Sequence, residues 1–148
     1  MELKAALFAI NGPDVPFVVR ETHSQEKGDL VAEWRVLEPA MGYSFSRKQV
    51  ERTIKTSMRL DALKCEVRTY DEQWERTWVG DPPRLALSHE YGRGQISMVY
   101  REWTYERGPD GRRHKVETFR FDPREMKDPL QKAVLESGWT WRPVLRKL

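Results

Sequence analysis

Cysteine is nearly absent from this sequence, and long hydrophobic runs are absent altogether. The 148 residues include one cysteine, which excludes an internal disulfide framework and a cysteine-rich zinc site. The early apolar run from Ala5 to Ile10 is too short to cross a bilayer or to form the apolar part of a signal peptide. We therefore expect a soluble, cytoplasmic protein with no membrane span.

An excess of one charge is also missing. Twenty-six Lys and Arg face 23 Asp and Glu, so the net charge is +3, and the two signs alternate along most of the chain. A dedicated nucleic-acid-binding domain usually gathers its basic residues on one face or stripe. The interleaved pattern is more typical of a solvated mixed-charge surface, which makes nucleic acid a weak candidate partner.

The chain has the length of one domain and shows no internal repeat or long linker, so we predict a single globular domain over residues 1–148. Clusters of Pro and Gly mark turns between short segments in which apolar residues alternate with polar ones. That period of two predicts strands. The predicted strands are 17–22, 30–37, 63–70, 85–91, 95–107, 113–121 and 139–143.

Two further segments have patterns that differ from a simple period of two. Val50–Met58 fits both a helix and a strand, and its Thr, Val and Ile content favours a strand in the second half. Near the end of the chain, Asp128 is a suitable N-cap, Pro129 suits the first helical position and Gly138 suits a stop. These residues predict one late helix near 129–137. An earlier turn at Asp122–Glu125 has the same capping pattern.

These elements together predict an α+β fold. Its main part is an antiparallel, strongly curved sheet or small β-barrel of about 7–8 strands, to which the late helix is added. Such a succession of short strands before a late helix resembles small ligand-binding β-barrels and tubby-like barrels in architecture. A resemblance at this level assigns no site residue.

Motifs for catalysis or for cofactor binding are scarce. His23, His89 and His114 are isolated from one another and from cysteine, so we predict no metal site. The sequence contains neither a phosphate-binding glycine loop nor a nucleophile elbow, and we predict no cofactor. Cys65 shares one face of the predicted strand 63–70 with Leu63 and Val67, and this pattern predicts a buried core thiol.

Tryptophan is the strongest compositional signal, with six in the chain. Wide aromatic side chains on strands make good cavity walls. We therefore predict a non-enzymatic binding domain that holds a hydrophobic or amphipathic small molecule. The predicted ligand contacts are Trp34, Trp74, Trp78, Trp103 and His89.

Three alternatives remain open at this stage. A cavity enzyme would use His89 with Glu102 as an acid–base pair. A single-strand nucleic-acid binder would stack bases on the tryptophans, with Arg59, Arg68, Arg76, Arg101 or Arg113 nearby. A homodimer would form through an exposed strand such as Trp139–Val144.

Overall fold

A computed structural model describes residues 2–37, 48–80, 82–94, 100–146 and 148, with the backbone alone at 89–94, 100–106 and 114–121. The secondary structure in these ranges comprises two helices and eight strands. The helices are α1 (Glu2–Phe8) and α2 (Arg124–Glu136). The strands are β1 (Val18–Glu21), β2 (Leu30–Leu37), β3 (Lys48–Asp61), β4 (Glu66–Val79), β5 (Arg84–Gly94), β6 (Tyr100–Arg107), β7 (Arg113–Phe121) and β8 (Thr140–Pro143).

The strands form a six-stranded sheet and a two-stranded sheet. In the larger one, β1 to β5 are neighbours in chain order and β8 pairs with β4, while β6 and β7 form the smaller one. The α+β class and the mainly antiparallel pairing are thus confirmed. No pairing between the end strands β1 and β5 exists among the described residues, so closure into a barrel remains a prediction.

Strands β3 and β4 form a long hairpin at the centre of the sheet. All of Lys48–Asp61 is strand, which resolves the ambiguity at Val50–Met58 in favour of its β-branched residues. The turn covers Ala62 to Cys65 and ends with Cys65 in the left-handed region, at φ 48°. Cys65 is exposed there, so the prediction of a buried thiol is wrong: the alternating pattern extends into the turn, where it no longer marks a sheet face.

The last strand occupies an unusual position. β8 pairs in parallel with Glu66–Thr69, whereas β5 pairs with the rest of the same β4 edge, from Asp71 to Val79. One strand edge is therefore divided between two partners. Trp139 and Trp141 pack against the hydrophobic core.

The helices differ from the sequence prediction in two ways. Helix α2 begins at Arg124, not near Pro129, because the buried Asp122 carboxylate accepts a hydrogen bond from the Arg124 backbone N–H at 3.1 Å. Pro129 consequently lies inside the helix. Helix α1 was not predicted at all, since its seven residues carry only two buried side chains, Leu3 and Leu7.

Both helices pack on one face of the larger sheet. Successive strand residues point to opposite faces. The strand residues that face the helices form the core with apolar residues of α1 and α2. The buried core consists of Leu3, Leu7, Phe17, Val19, Leu30, Ala32, Trp34, Ile54, Met58, Val67, Met126, Leu130 and Val134. The opposite face of the sheet carries no helix among the described elements.

Neither described helix has the length and apolar character that a membrane-spanning helix requires.

Candidate functional site

A groove of about 290 Å³ runs along the helix-free face of the larger sheet. We call it the polar groove. It is built from alternate residues of β2, β3 and β4, from the loop between β1 and β2, and from Leu148. Its lining residues are Gln25, Glu26, Lys27, Glu33, Arg35, Thr53, Lys55, Ser57, Tyr70, Glu72, Trp74, Arg76 and Leu148.

Strand register places the groove residues in rows across the sheet. Glu33 lies opposite Lys55, and Lys55 lies opposite Glu72, so charges alternate in sign across three strands. Opposite charges in cross-strand positions stabilise a sheet, and like charges destabilise it. This row is therefore electrostatically self-consistent in the absence of a ligand.

Glu26 holds the loop between β1 and β2 against the groove. Its two carboxylate oxygens accept from the Arg20 guanidinium at 2.7 and 3.0 Å, and Oε2 lies 2.9 Å from Lys55 Nζ. The backbone N–H of His23 donates to Oε1 at 2.8 Å. The hydrogen bonds from Arg20 hold the pKa of Glu26 well below its ordinary value, against the opposing effect of burial. This wall of the groove is thus fixed by a charged network.

A second charged cluster closes the other end of the groove around Glu51. Its side chain is nearly buried and lies 3.4 Å from Arg35 Nε and 3.5 Å from Arg76 Nη1. The Trp78 indole N–H donates to its Oε2 at 3.3 Å. Both arginines therefore converge on the same carboxylate oxygen, and both guanidinium groups stay partly exposed at the rim of the groove.

Between the two clusters, the floor combines aromatic rings with hydroxyl groups. Tyr70 is buried and Trp74 half-buried on β4, and Thr53 and Ser57 lie beside them on β3. Aromatic faces bind planar or apolar groups, whereas hydroxyls and charged rims bind polar groups. The groove therefore has the chemistry to hold a compact amphipathic molecule.

The structure separates the tryptophans that the sequence grouped together. Trp74 lines the groove, and Trp78 lies four residues further along β4 on the same face. Trp34 is opposite Ile54 and belongs to the core, on the other face of the sheet. Trp103 lies in β6 of the smaller sheet, and its side chain is outside the described part of the chain.

The two candidate catalytic residues lie in different sheets. His89 is on β5, in register with Glu75, whereas Glu102 is on β6, in register with Phe119. Their side chains are also outside the described part. Within the described ranges, no three His, Cys, Asp or Glu side chains are placed to hold a metal ion.

The sequence analysis did not identify most of the groove residues as candidate site residues. Glu26, Glu33, Lys55 and Glu72 look like ordinary surface charges in a chain that is one-third charged. The available signal was the period of two on β2 to β4, which places charged residues on one face. It could not show that loop 22–29 folds over that face.

No protein-family model, curated protein or solved structure shows a significant match to this chain. What the polar groove binds has to be inferred from the residues that line it.

Proposed function

We propose that this protein is a binding module that holds a compact amphipathic small molecule in the polar groove. The observation that carries the proposal is the juxtaposition of Tyr70 and Trp74 with two fixed charged clusters around one groove. A planar or apolar part of the ligand lies over the rings. Its polar part is held by the hydroxyls of the floor and by the guanidinium groups at the rim.

The size and lining of the groove favour a metabolite-sized ligand over a long acyl chain. Typical small-molecule pockets measure roughly 300–1,000 Å³, and the volume here is at the lower end of that range. Seven of the lining residues are charged at neutral pH, so a long hydrocarbon chain would take charged groups out of water without offering them a polar contact. The ligand expected from the sequence, hydrophobic or amphipathic, is thereby narrowed to an amphipathic one.

Native mass spectrometry of the freshly purified full chain, beside a denatured control, tests this proposal. We expect an excess mass that is lost on denaturation and that identifies the ligand class. The wild-type protein is then titrated with a panel of compact aromatic acids, amines and phosphates, with Trp fluorescence and thermal shift as readouts.

Two variants and a control locate the binding. Trp74→Ala removes the half-buried ring and should weaken binding roughly tenfold, and Ser57→Trp should fill one end of the groove. Leu63→Trp adds a ring at a fully exposed turn position and should bind like wild type. The proposal is overturned if no excess mass is found and no compound binds, or if binding is equal in Trp74→Ala, Ser57→Trp and Leu63→Trp.

A further inference from the structure

Three arginines stand side by side at one end of the helix-free face. Arg59 on β3 lies directly opposite Arg68 on β4, and Arg68 is in register with Arg142 on β8. We call these residues the arginine row. All three share the face of Ser57 and Tyr70, two residues along the same strands, because side chains alternate along each strand. The row therefore continues the polar groove.

The arginine row contains three like charges, whereas the charges of Glu33, Lys55 and Glu72 alternate in sign across the sheet. Neighbouring strands lie about 4.8 Å apart, so three positive charges occupy adjacent positions without an intervening negative one. Like charges directly opposite each other destabilise a sheet. The free protein is thus less stable than it would be with a neutral residue at the centre of the row.

Two carboxylates near the row are engaged by backbone N–H groups, and a third pairs with Arg142. Asp29 Oδ2 accepts from the Leu60 backbone N–H at 2.8 Å. Asp61 Oδ1 accepts from the backbone of the β3–β4 turn at 3.2 and 3.3 Å. Glu66 Oε1 accepts from Arg142 at 3.3 Å, which leaves Arg59 and Arg68 with no carboxylate partner among the described residues.

Arg68 supplies a second, independent observation. Its Nε atom is buried and has no hydrogen-bond acceptor in the described part of the chain. Buried polar atoms in native proteins nearly always have a partner, and the exceptions often mark the place of a water, an ion or a ligand. An anion bound along the arginine row would supply an acceptor and relieve the repulsion.

We propose that the arginine row is the phosphate-binding end of the polar groove, so that the ligand is a small aromatic or heteroaromatic phosphate monoester. Guanidinium groups bind phosphate oxygens in a bidentate manner. Several guanidinium groups together bind a doubly charged phosphate better than they bind a singly charged carboxylate. Tyr70 lies about 7 Å along β4 from Arg68, so one small molecule can reach both a ring face at Tyr70 and the arginine row. The choice of an aromatic ester rests on the proposed function, whereas phosphate binding to the row does not.

The first experiment measures thermal unfolding in sodium phosphate and in sodium chloride at equal ionic strength. We expect phosphate to raise the Tm of the wild-type protein by several degrees. Arg68→Gln should have a higher Tm than wild type in chloride, because it removes the repulsion, and should lose most of the phosphate effect. Arg59→Gln should behave in the same way, and Arg112→Gln, at an exposed turn position, should behave like wild type.

The second experiment titrates 1-naphthyl phosphate, 1-naphthol and a short single-stranded oligonucleotide into the same proteins. We expect 1-naphthyl phosphate to bind at least tenfold more tightly than 1-naphthol, and Arg68→Gln to abolish that preference. Tighter binding of the oligonucleotide, with a steep salt dependence, would overturn the inference in favour of nucleic acid.

The outcomes separate this inference from the proposed function. A phosphate effect that depends on Arg68, without binding of either naphthyl compound, supports the phosphate site and contradicts the aromatic groove. Binding of 1-naphthol that depends on Trp74, with equal Tm in phosphate and chloride, supports the groove and overturns the phosphate site.

Discussion

The Lys127 ammonium donates to the Asp71 carboxylate at 2.6 Å and thereby ties helix α2 to the centre of the sheet. Asp71 is fully buried, and its other oxygen accepts from the Thr56 hydroxyl at 2.8 Å on the neighbouring strand. This ion pair lies on the helix-facing side of the sheet, away from the polar groove. It belongs to the packing of the fold.

Removing one partner of this pair should be costly. Lys127→Met leaves a buried carboxylate without its cation and should lower the free energy of unfolding by about 3–5 kcal/mol. The double variant Lys127→Met with Asp71→Asn should recover part of that loss, because no charge remains buried. Urea unfolding of the wild type, the two single variants and the double variant measures the coupling energy between Lys127 and Asp71. Additive losses would show that the two side chains do not interact.

The low pKa of Glu26 predicts a pH dependence of stability. In the folded chain this carboxyl has a pKa below its ordinary value of 4.5. Its contribution to the stability of the fold is therefore fully present above pH 4.5. The contribution is lost as the pH falls toward the folded pKa. Glu26→Gln should therefore be less stable than wild type by about 1–2 kcal/mol near pH 7, with a difference that shrinks below about pH 4.5.

Urea unfolding of both proteins at several pH values checks this expectation. Glu136→Gln is the matched control, since its exposed carboxylate lies 3.9 Å from Lys132 and should contribute less than about 0.5 kcal/mol. A constant difference between wild type and Glu26→Gln from neutral to acid pH would contradict the prediction.

The backbone at Cys65 should favour glycine. Its φ of 48° is in the left-handed region, which costs an L-residue about 1 kcal/mol relative to glycine. Because the side chain is exposed, Cys65→Gly should have a free energy of unfolding about 1 kcal/mol higher than that of Cys65→Ala. The extra freedom of glycine in the unfolded chain reduces this difference by a few tenths of a kcal/mol. Thermal unfolding of the two variants compares them without the influence of the thiol. Equal or lower stability of the glycine variant would show that the turn adopts another conformation in solution.

Pro129 tests the extent of helix α2. Inside a helix, proline removes one backbone hydrogen bond and crowds the preceding turn. If Arg124–Glu136 is continuous, Pro129→Ala should raise the free energy of unfolding by about 1–2 kcal/mol, with Pro13→Ala in an exposed loop as the control. If the helix instead begins at Pro129, as the sequence suggested, the same substitution should be neutral or destabilising.

Strand positions were largely readable from the sequence because a sheet that is buried on one face imposes a period of two. Leu30–Leu37 and Arg113–Phe121 agree with β2 and β7 residue for residue. Helix α1 was not predicted from the sequence, because a two-turn helix has too few buried positions to show a period of 3.6. The start of α2 was misplaced because two successive Asp-Pro pairs offer the same local capping pattern, and only the burial of Asp122 selects the first.

The candidate site was less predictable than the fold. Aromatic content pointed to a cavity, but Trp34 and Trp74 turn out to lie on opposite faces, because Ile54 and Thr53, their partners in register, are adjacent in sequence. Arg59 and Arg68 were two of five arginines that the sequence placed near aromatic residues, and nothing in the sequence singled them out. That they face each other depends on the register of the β3–β4 hairpin.

By itself, the sequence determined the class of the fold, the alternation of buried and polar residues, and the near balance of its charges. These properties are local or additive, so they can be read without knowledge of long-range contacts. Only the tertiary structure decided that β8 joins β4 in parallel and brings Arg142 beside Arg68. The physical reason is that pairing between strands more than 70 residues apart depends on the packing of Trp139, Trp141 and helix α2 on the core, which no local pattern encodes.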